Sequence, residues 1–189
     1  MNLRLLAFAA SLRQGSLNRR LITAATGIAR AGGADVDLAE FREFNMPLYN
    51  ADLQAAEGMP LGALEFKRRL ETADGLLIAS PEYNYSLPGT LKNAIDWLSR
   101  MRPVPLKGKS ALLLATSNGP VGGIRGLWQL RIPLEGLGVF VHPAMFSLGQ
   151  GDRVLDPAGS LSDPAAHERL QTIVHGYLAI ARALAMREA

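Results

Sequence analysis

LRLLAFAASLRQGSLNRRLITAATGIARAGG, residues 3 to 33, contains a complete folding unit. Its first seven residues form a nearly continuous apolar run, as a strand buried on both faces requires. From Asn18 onward the apolar positions take a helical spacing, and the segment ends in two glycines suited to a C-terminal cap. Between the two lies ASLRQGSL, rich in hydroxyls and carrying one guanidinium. Strand, polar loop and helix in that order are the start of an α/β domain with a parallel sheet.

The pattern then repeats along the chain. ADVDLAEF (34 to 41) alternates apolar and polar residues, which predicts a second strand near the sheet edge, and NMPLYNADLQAAEGMP (45 to 60) predicts an exposed loop. A helix through LGALEFKRRLETA leads to a third strand, DGLLIAS, and a helix in PGTLKNAIDWLSRM starts near Pro88. KSALLLATS is the fourth strand. IRGLWQLRIPLEGLG is a helix that Pro133 should kink or end, VFVHPAMFSLG is the fifth strand, and AAHERLQTIVHGYLAIARALAM is a long amphipathic helix. Residues 150 to 164 are the longest irregular stretch and are expected to be a surface excursion. The expectation is a single domain over residues 1 to 189, with five strands and about five helices.

Composition excludes several kinds of chemistry. There is no cysteine, so there is no disulfide framework and no thiolate nucleophile. His142, His167 and His175 lack a chelating spacing, so no metal site is expected. The net charge of +3 comes mostly from scattered arginines, without a dense basic run, and this favours small anions over nucleic acid. No apolar run reaches the length of a membrane span, and the opening stretch has neither the apolar length nor the flanks of a secretory signal, so a cytoplasmic protein is expected.

In an open α/β sheet, ligands bind outside the carboxyl ends of the strands. Three loops there are rich in chemistry. The first, Ala10 to Asn18, places Ser11, Arg13, Ser16 and Asn18 before a helix N-terminus, where free N–H groups and the helix dipole favour an anion; ordinary capping by Ser16 or Asn18 is the plainer alternative. It has neither the GK[ST] of a Walker A loop nor a GxGxxG fingerprint.

The second, SPEYNYSLPG (80 to 89), holds one carboxylate, two tyrosines, an asparagine and two prolines. Prolines at 81 and 88 can fix backbone groups against the heteroatom edge of a flat ring, with Asn84 as donor and acceptor and Tyr83 or Tyr85 at its face or at the pocket mouth. Glu82, taken by itself, is either a general acid or base or a carboxylate that is solvated or holds its loop together. The third loop, TSNGPVGGIR (116 to 125), brings glycines that permit close backbone approach, or serves as a plain strand-to-helix turn. Trp128 beyond it is expected in the core or at a subunit interface.

Together, ASLRQGSLNR, PEYNYSLPGTLKNAIDWLSR and TSNGPVGGIR resemble the NADPH-dependent FMN reductase family, which includes chromate and quinone reductases of flavodoxin-like fold. The resemblance runs from the first strand to the last helix. It implies a doubly wound sheet of strand order 2-1-3-4-5 with helices on both faces. It assigns Ser11, Arg13, Ser16, Leu17 and Asn18 to the phosphate and ribityl end of FMN, and Pro81, Glu82, Tyr83 and Asn84 to the isoalloxazine ring. Ser117 and Gly119 close the other side of the pocket, while Tyr85, Asn118 and Arg125 fall on the substrate side or at a subunit interface. Two positions depart from the family pattern: Ala10 stands where relatives often have glycine, and Asn118 where a smaller or hydroxyl residue is common.

The chemistry so implied runs on N5 of FMN and needs no catalytic side chain. NADPH or NADH donates hydride, and a small acceptor such as a quinone, flavin, azo compound or chromate receives it. A homodimer or homotetramer is implied as well. The competing reading is a flavodoxin-type electron carrier, which the basic charge opposes because such carriers present acidic surfaces. A flavoprotein whose FMN is only structural is the third.

Overall fold

The computed structural model describes residues 2–186. Strands β1 (Arg4–Ala9), β2 (Asp35–Ala39), β3 (Gly75–Ala79), β4 (Ser110–Thr116) and β5 (Phe140–Val141) lie in the order β2-β1-β3-β4-β5, all parallel. β3 and β4 are buried at every residue, whereas β2 at the sheet edge buries only Val36 and Ala39 and departs from strict alternation at the exposed Leu38.

Helices α1 (Leu17–Ala31), α2 (Ala51–Glu57), α3 (Leu61–Thr72), α4 (Gly89–Ser99), α5 (Ile124–Gly136), α6 (Gly151–Val154) and α7 (Pro164–Ala185) complete the chain. The period-2 geometry of β1 sorts its side chains between two layers. Leu6 and Phe8 join a core with α3, α4 and α5, while Leu5 and Ala7 join one with α1 and α7. The first layer is dominated by aromatics: Phe44 and Phe66 stack at 4.2 Å, and the edge of one ring meets the face of the other between Phe8 and Phe66 at 5.4 Å.

Four expectations are corrected or refined. Residues 139 to 149 are not one strand: after β5 the chain leaves the sheet at His142 and re-enters as β6 (Phe146–Leu148), which pairs with the far end of β4. Pro143 lies in the break, where it has no N–H to give to a ladder. Residues 45 to 60 contain α2, capped by the Asn50 carboxamide, which accepts from Asp52 N–H at 2.8 Å. Pro133 stands inside α5, which ends three residues later at Gly136. Residues 150 to 164 contain the single turn α6 and a bridge between Leu155 and Leu161, and Arg20 on α1 donates to the Leu155 carbonyl at 3.2 Å.

An ion-pair network fastens the edge strand to this frame. Arg69 on α3 pairs with Glu65, Asp37 and Glu43, so a single guanidinium ties α3 to β2 and to the 3-10 turn Phe41–Phe44. Hydrogen bonds from Arg68 and then Arg69 hold the half-buried Glu65 carboxyl down from its ordinary 4.5 to about 2. A carboxylate with a depressed folded-state pKa stabilises above its unfolded pKa and loses that contribution as pH falls through the folded value. The stability difference between wild type and Glu65→Gln is therefore expected to be constant above pH 5, to shrink between about pH 4.5 and 2, and to vanish below, when followed by urea denaturation at each pH. A difference that does not change with pH over that window would show that Glu65 is not held by its arginines.

Candidate functional site

All three loops singled out in the sequence converge at the carboxyl edge of the sheet. The first connects β1 to α1 and leaves its donors free. Ser16 occupies the N-cap position of α1 without a side-chain capping bond, and no acidic residue stands in the helix's first turn. Neither hydroxyl, Ser11 nor Ser16, nor the exposed Arg13 guanidinium has a side-chain partner among the described residues. Two hydroxyls, a guanidinium and the open N–H groups of a helix start are a donor set that matches a phosphate dianion. Plain capping by Ser16 is not what this loop does.

Asn18 behaves differently from its neighbours. Its side chain is buried and turned inward, with Nδ2 donating to the Thr116 carbonyl and Oδ1 accepting from the Thr116 N–H, both at 3.0 Å. It joins the start of α1 to the end of β4. Leu17, half-buried beside it, packs toward Gly151.

The second loop is a tight two-residue turn. Tyr83 and Ser86 exchange both backbone hydrogen bonds, and the two residues between them, Asn84 and Tyr85, have φ of 50° and 67°. Asparagine tolerates that region, but tyrosine is strained there, and such strain persists only where surrounding contacts fix it. One such contact is the Arg125 guanidinium, stacked over the Tyr85 ring at 4.3 Å. Pro81 is buried, while Tyr83, Asn84 and Tyr85 point to the surface.

Glu82 decides between its two sequence readings. Its side chain is 9 % exposed and pairs with Arg125 at 2.6 Å. The other carboxylate oxygen accepts from the backbone N–H groups of Arg125 at 3.1 Å and Gly126 at 3.2 Å. The carboxylate thus caps the start of α5 from the neighbouring loop and joins the second loop to the third. Glu82→Ala is expected to cost about 1–2 kcal/mol in urea denaturation, with Glu82→Gln losing part of that. Unchanged stability with lowered turnover would return Glu82 to acid–base duty.

The third loop leaves β4 and enters α5. Ser117, Asn118 and Gly119 follow the end of β4 directly, with Asn118 and Gly119 exposed. The loop is laced to the end of β6 and to the segment after it: Ser117 N–H donates to the Leu148 carbonyl, Gln150 N–H to that of Gly119 and Gly151 N–H to that of Ser117. Sequence reasoning placed no functional residue in that segment; the glycines flanking Gln150 were the only available signal.

A cavity of about 570 Å3 opens on the α4 side of the first loop. Leu12, Phe44, Met46, Leu48 and Thr90 line it with Arg42 at the rim. The strap carrying Met46 and Leu48 is fastened by Asn93, which bonds Tyr49 N–H and the Pro47 carbonyl, and by Trp97 Nε1–H, which donates to the same carbonyl at 2.8 Å. These wall residues went unnoticed in the sequence because they lie on a stretch expected to be loop. Among the described residues no group of acidic or histidine side chains could hold a metal ion, and no helix is long and apolar enough to cross a membrane.

Residues 3–153 match the family model for NADPH-dependent FMN reductase. The chain belongs to the NADPH-dependent FMN reductase family. Among its relatives, an NAD(P)H-dependent FMN reductase of Pseudomonas aeruginosa is 39% identical over 175 residues, 90% of each chain. A quinone reductase of Escherichia coli K12 is 44% identical over 121 residues, 64% of this chain and 63% of the relative. A solved structure of the flavoenzyme NAD(P)H:(acceptor) oxidoreductase FerB from Paracoccus denitrificans superposes with a TM-score of 0.83 at 29% identity, covering 95% of this chain and 97% of that one. The order β2-β1-β3-β4-β5 is the flavodoxin-like topology that the sequence resemblance implied. β6 is added to it.

Proposed function

We propose that the protein is an NAD(P)H oxidoreductase that works through bound FMN and reduces a small acceptor such as a quinone. The observation that carries this reading is the first loop: Ser11, Ser16 and Arg13 present unpartnered donors at a helix N-terminus, on the same edge of the sheet as the loops that carry Pro81 to Asn84 and Ser117 to Gly119. When bound there, FMN supplies the two-electron chemistry that no side chain of this chain needs to perform.

The residues position and shield it. Ser11, Arg13, Ser16 and the backbone of Leu17 and Asn18 bind the phosphate and ribityl end. Pro81 and the turn at Tyr83 and Asn84 address the ring, with Glu82 holding that wall in place, and Ser117 and Gly119 stand opposite. Asn118, Tyr85 and Arg125 face the incoming nucleotide or acceptor, and flavins, azo compounds and chromate are acceptors within reach of the same exposed ring. A cytoplasmic location belongs to the same proposal, since the reaction draws on a nicotinamide donor.

A homodimer or homotetramer belongs to the same proposal. Tyr85 is 69% exposed, and Trp128 and Ile132, one turn apart on α5, are 54% and 65% exposed, so Trp128 is not in the core of one chain. An apolar face of this kind next to the site suits a second copy that completes the pocket. A monomer in size-exclusion chromatography with light scattering would refute it.

The function is tested by an anaerobic visible spectrum of the FMN-loaded protein before and after NADPH, and separately NADH. Rapid bleaching of the oxidised flavin band is expected, and the faster nucleotide identifies the donor. Retained flavin that neither nucleotide bleaches would mean an electron carrier or a passive flavoprotein, and no retained flavin would overturn the site.

A further inference from the structure

We infer that Asn18 and Thr116 form a positioning clamp that sets the distance between the anion loop and the far wall of the flavin crevice. The inference rests on the FMN reading and changes what the Asn18 side chain does within it: the carboxamide acts through Thr116 instead of serving as a phosphate ligand.

Thr116 is the last residue of β4 and is 2% exposed. On one side its backbone faces β6, where it is registered with Leu148. On the other side, β3 has already ended at Ala79, and the Asn18 carboxamide supplies the missing ladder partner by bonding both the N–H and the carbonyl of Thr116. A buried backbone pair at a strand end needs such a partner. With its oxygen and one N–H committed, the carboxamide keeps a single N–H for anything else.

The clamp continues past Thr116. Its hydroxyl donates to the Leu148 carbonyl at 2.9 Å, and the same carbonyl accepts from Ser117 N–H at 3.3 Å. Gly151 N–H then returns to the Ser117 carbonyl at 3.0 Å, and Gln150 N–H to that of Gly119 at 3.2 Å. A Cβ on Gly151 would lie 2.1 Å from the Thr116 hydroxyl oxygen and 3.5 Å from Leu17 on α1, so only glycine lets the three segments close up. One chain of contacts therefore runs from the first turn of α1, where the anion donors sit, to Ser117 and Gly119. A ligand that spans both ends feels any change in that spacing.

The test compares Asn18→Ala and Thr116→Val for binding of FMN and of riboflavin, which lacks the phosphate, by flavin fluorescence. The expectation is that Asn18→Ala raises both dissociation constants by about tenfold or more, as loss of a buried hydrogen-bonded pair does, and leaves their ratio within about threefold of wild type. Thr116→Val, which keeps the side chain's shape and removes a hydroxyl with no route to the phosphate, should act in the same direction. Loss of FMN affinity alone would make Asn18 a phosphate ligand and overturn the clamp. Lower thermal stability with both affinities intact would reduce it to a purely structural bond.

Hydrogen exchange in flavin-free protein judges the clamp separately. The Gln150 and Gly151 amides should exchange about tenfold faster or more in Asn18→Ala than in wild type. Unchanged exchange would overturn the clamp, whereas a wild-type chain that binds neither flavin would overturn the FMN reading and leave the exchange result to decide the clamp.

Discussion

Gly122→Ala is expected to weaken flavin affinity about 30-fold or more while far-UV circular dichroism stays native. Gly122 has φ of 68°, in the left-handed region that disfavours a side chain by about 1–2 kcal/mol. A Cβ there would also stand 2.6 Å from the Leu148 carbonyl carbon and 2.7 Å from its nitrogen. Those atoms are backbone and cannot rotate away, so the loop itself must lift from the end of β6. The displaced residues are Ser117 to Gly119, the proposed far wall of the crevice. The two costs together come to about 2–3 kcal/mol, which is the stated loss in affinity if the cofactor selects the undisplaced loop. Titration of FMN into the variant checks it. Wild-type affinity would mean that this loop does not contact the flavin.

Trp97→Ala is expected to remove about 3–5 kcal/mol of stability, a large share of what a domain of this size has. The indole is fully buried among α3, α4 and α5, its ring meets Tyr49 edge-on at 5.1 Å, and its N–H bonds the Pro47 carbonyl. Truncation leaves a cavity and takes one of two donors from the Pro47 carbonyl, so that Asn93 alone holds the strap carrying Met46 and Leu48. Trp97→Phe separates the effects, since it keeps most of the packing and loses the hydrogen bond, at about 1–2 kcal/mol. Urea denaturation should show a lower midpoint for both variants with an unchanged slope for Phe. A loss under 1 kcal/mol for Ala would contradict the packing described for this residue.

Much of this molecule could be read before any coordinate. Continuous apolar runs at 3 to 9, 74 to 80 and 109 to 117 predicted buried parallel strands, because a strand covered on both faces has no polar side to show. The alternating run at 34 to 41 predicted an edge. Three polar loops after strands one, three and four were expected to meet on one side of the sheet, and the parallel order brings them there. All of these rest on local periodicity and on the order of elements along the chain.

Partner choice is not local, and tertiary structure alone settled it. A lone carboxylate at Glu82 carries no mark of the helix it caps; only when β4 lies beside β3 does the start of α5 arrive within reach of it. Asn18 has the composition of an anion ligand, yet a strand end 98 residues away claims its carboxamide. The fifth strand divides because β4 has two separate stretches of open edge to satisfy, one registered with Phe140 and the other with Phe146. Sequence by itself determined the sheet, the loops and the chemistry they favour. Which polar groups remain free for a ligand was decided by the fold, because a buried donor or acceptor takes whichever partner packing brings to it.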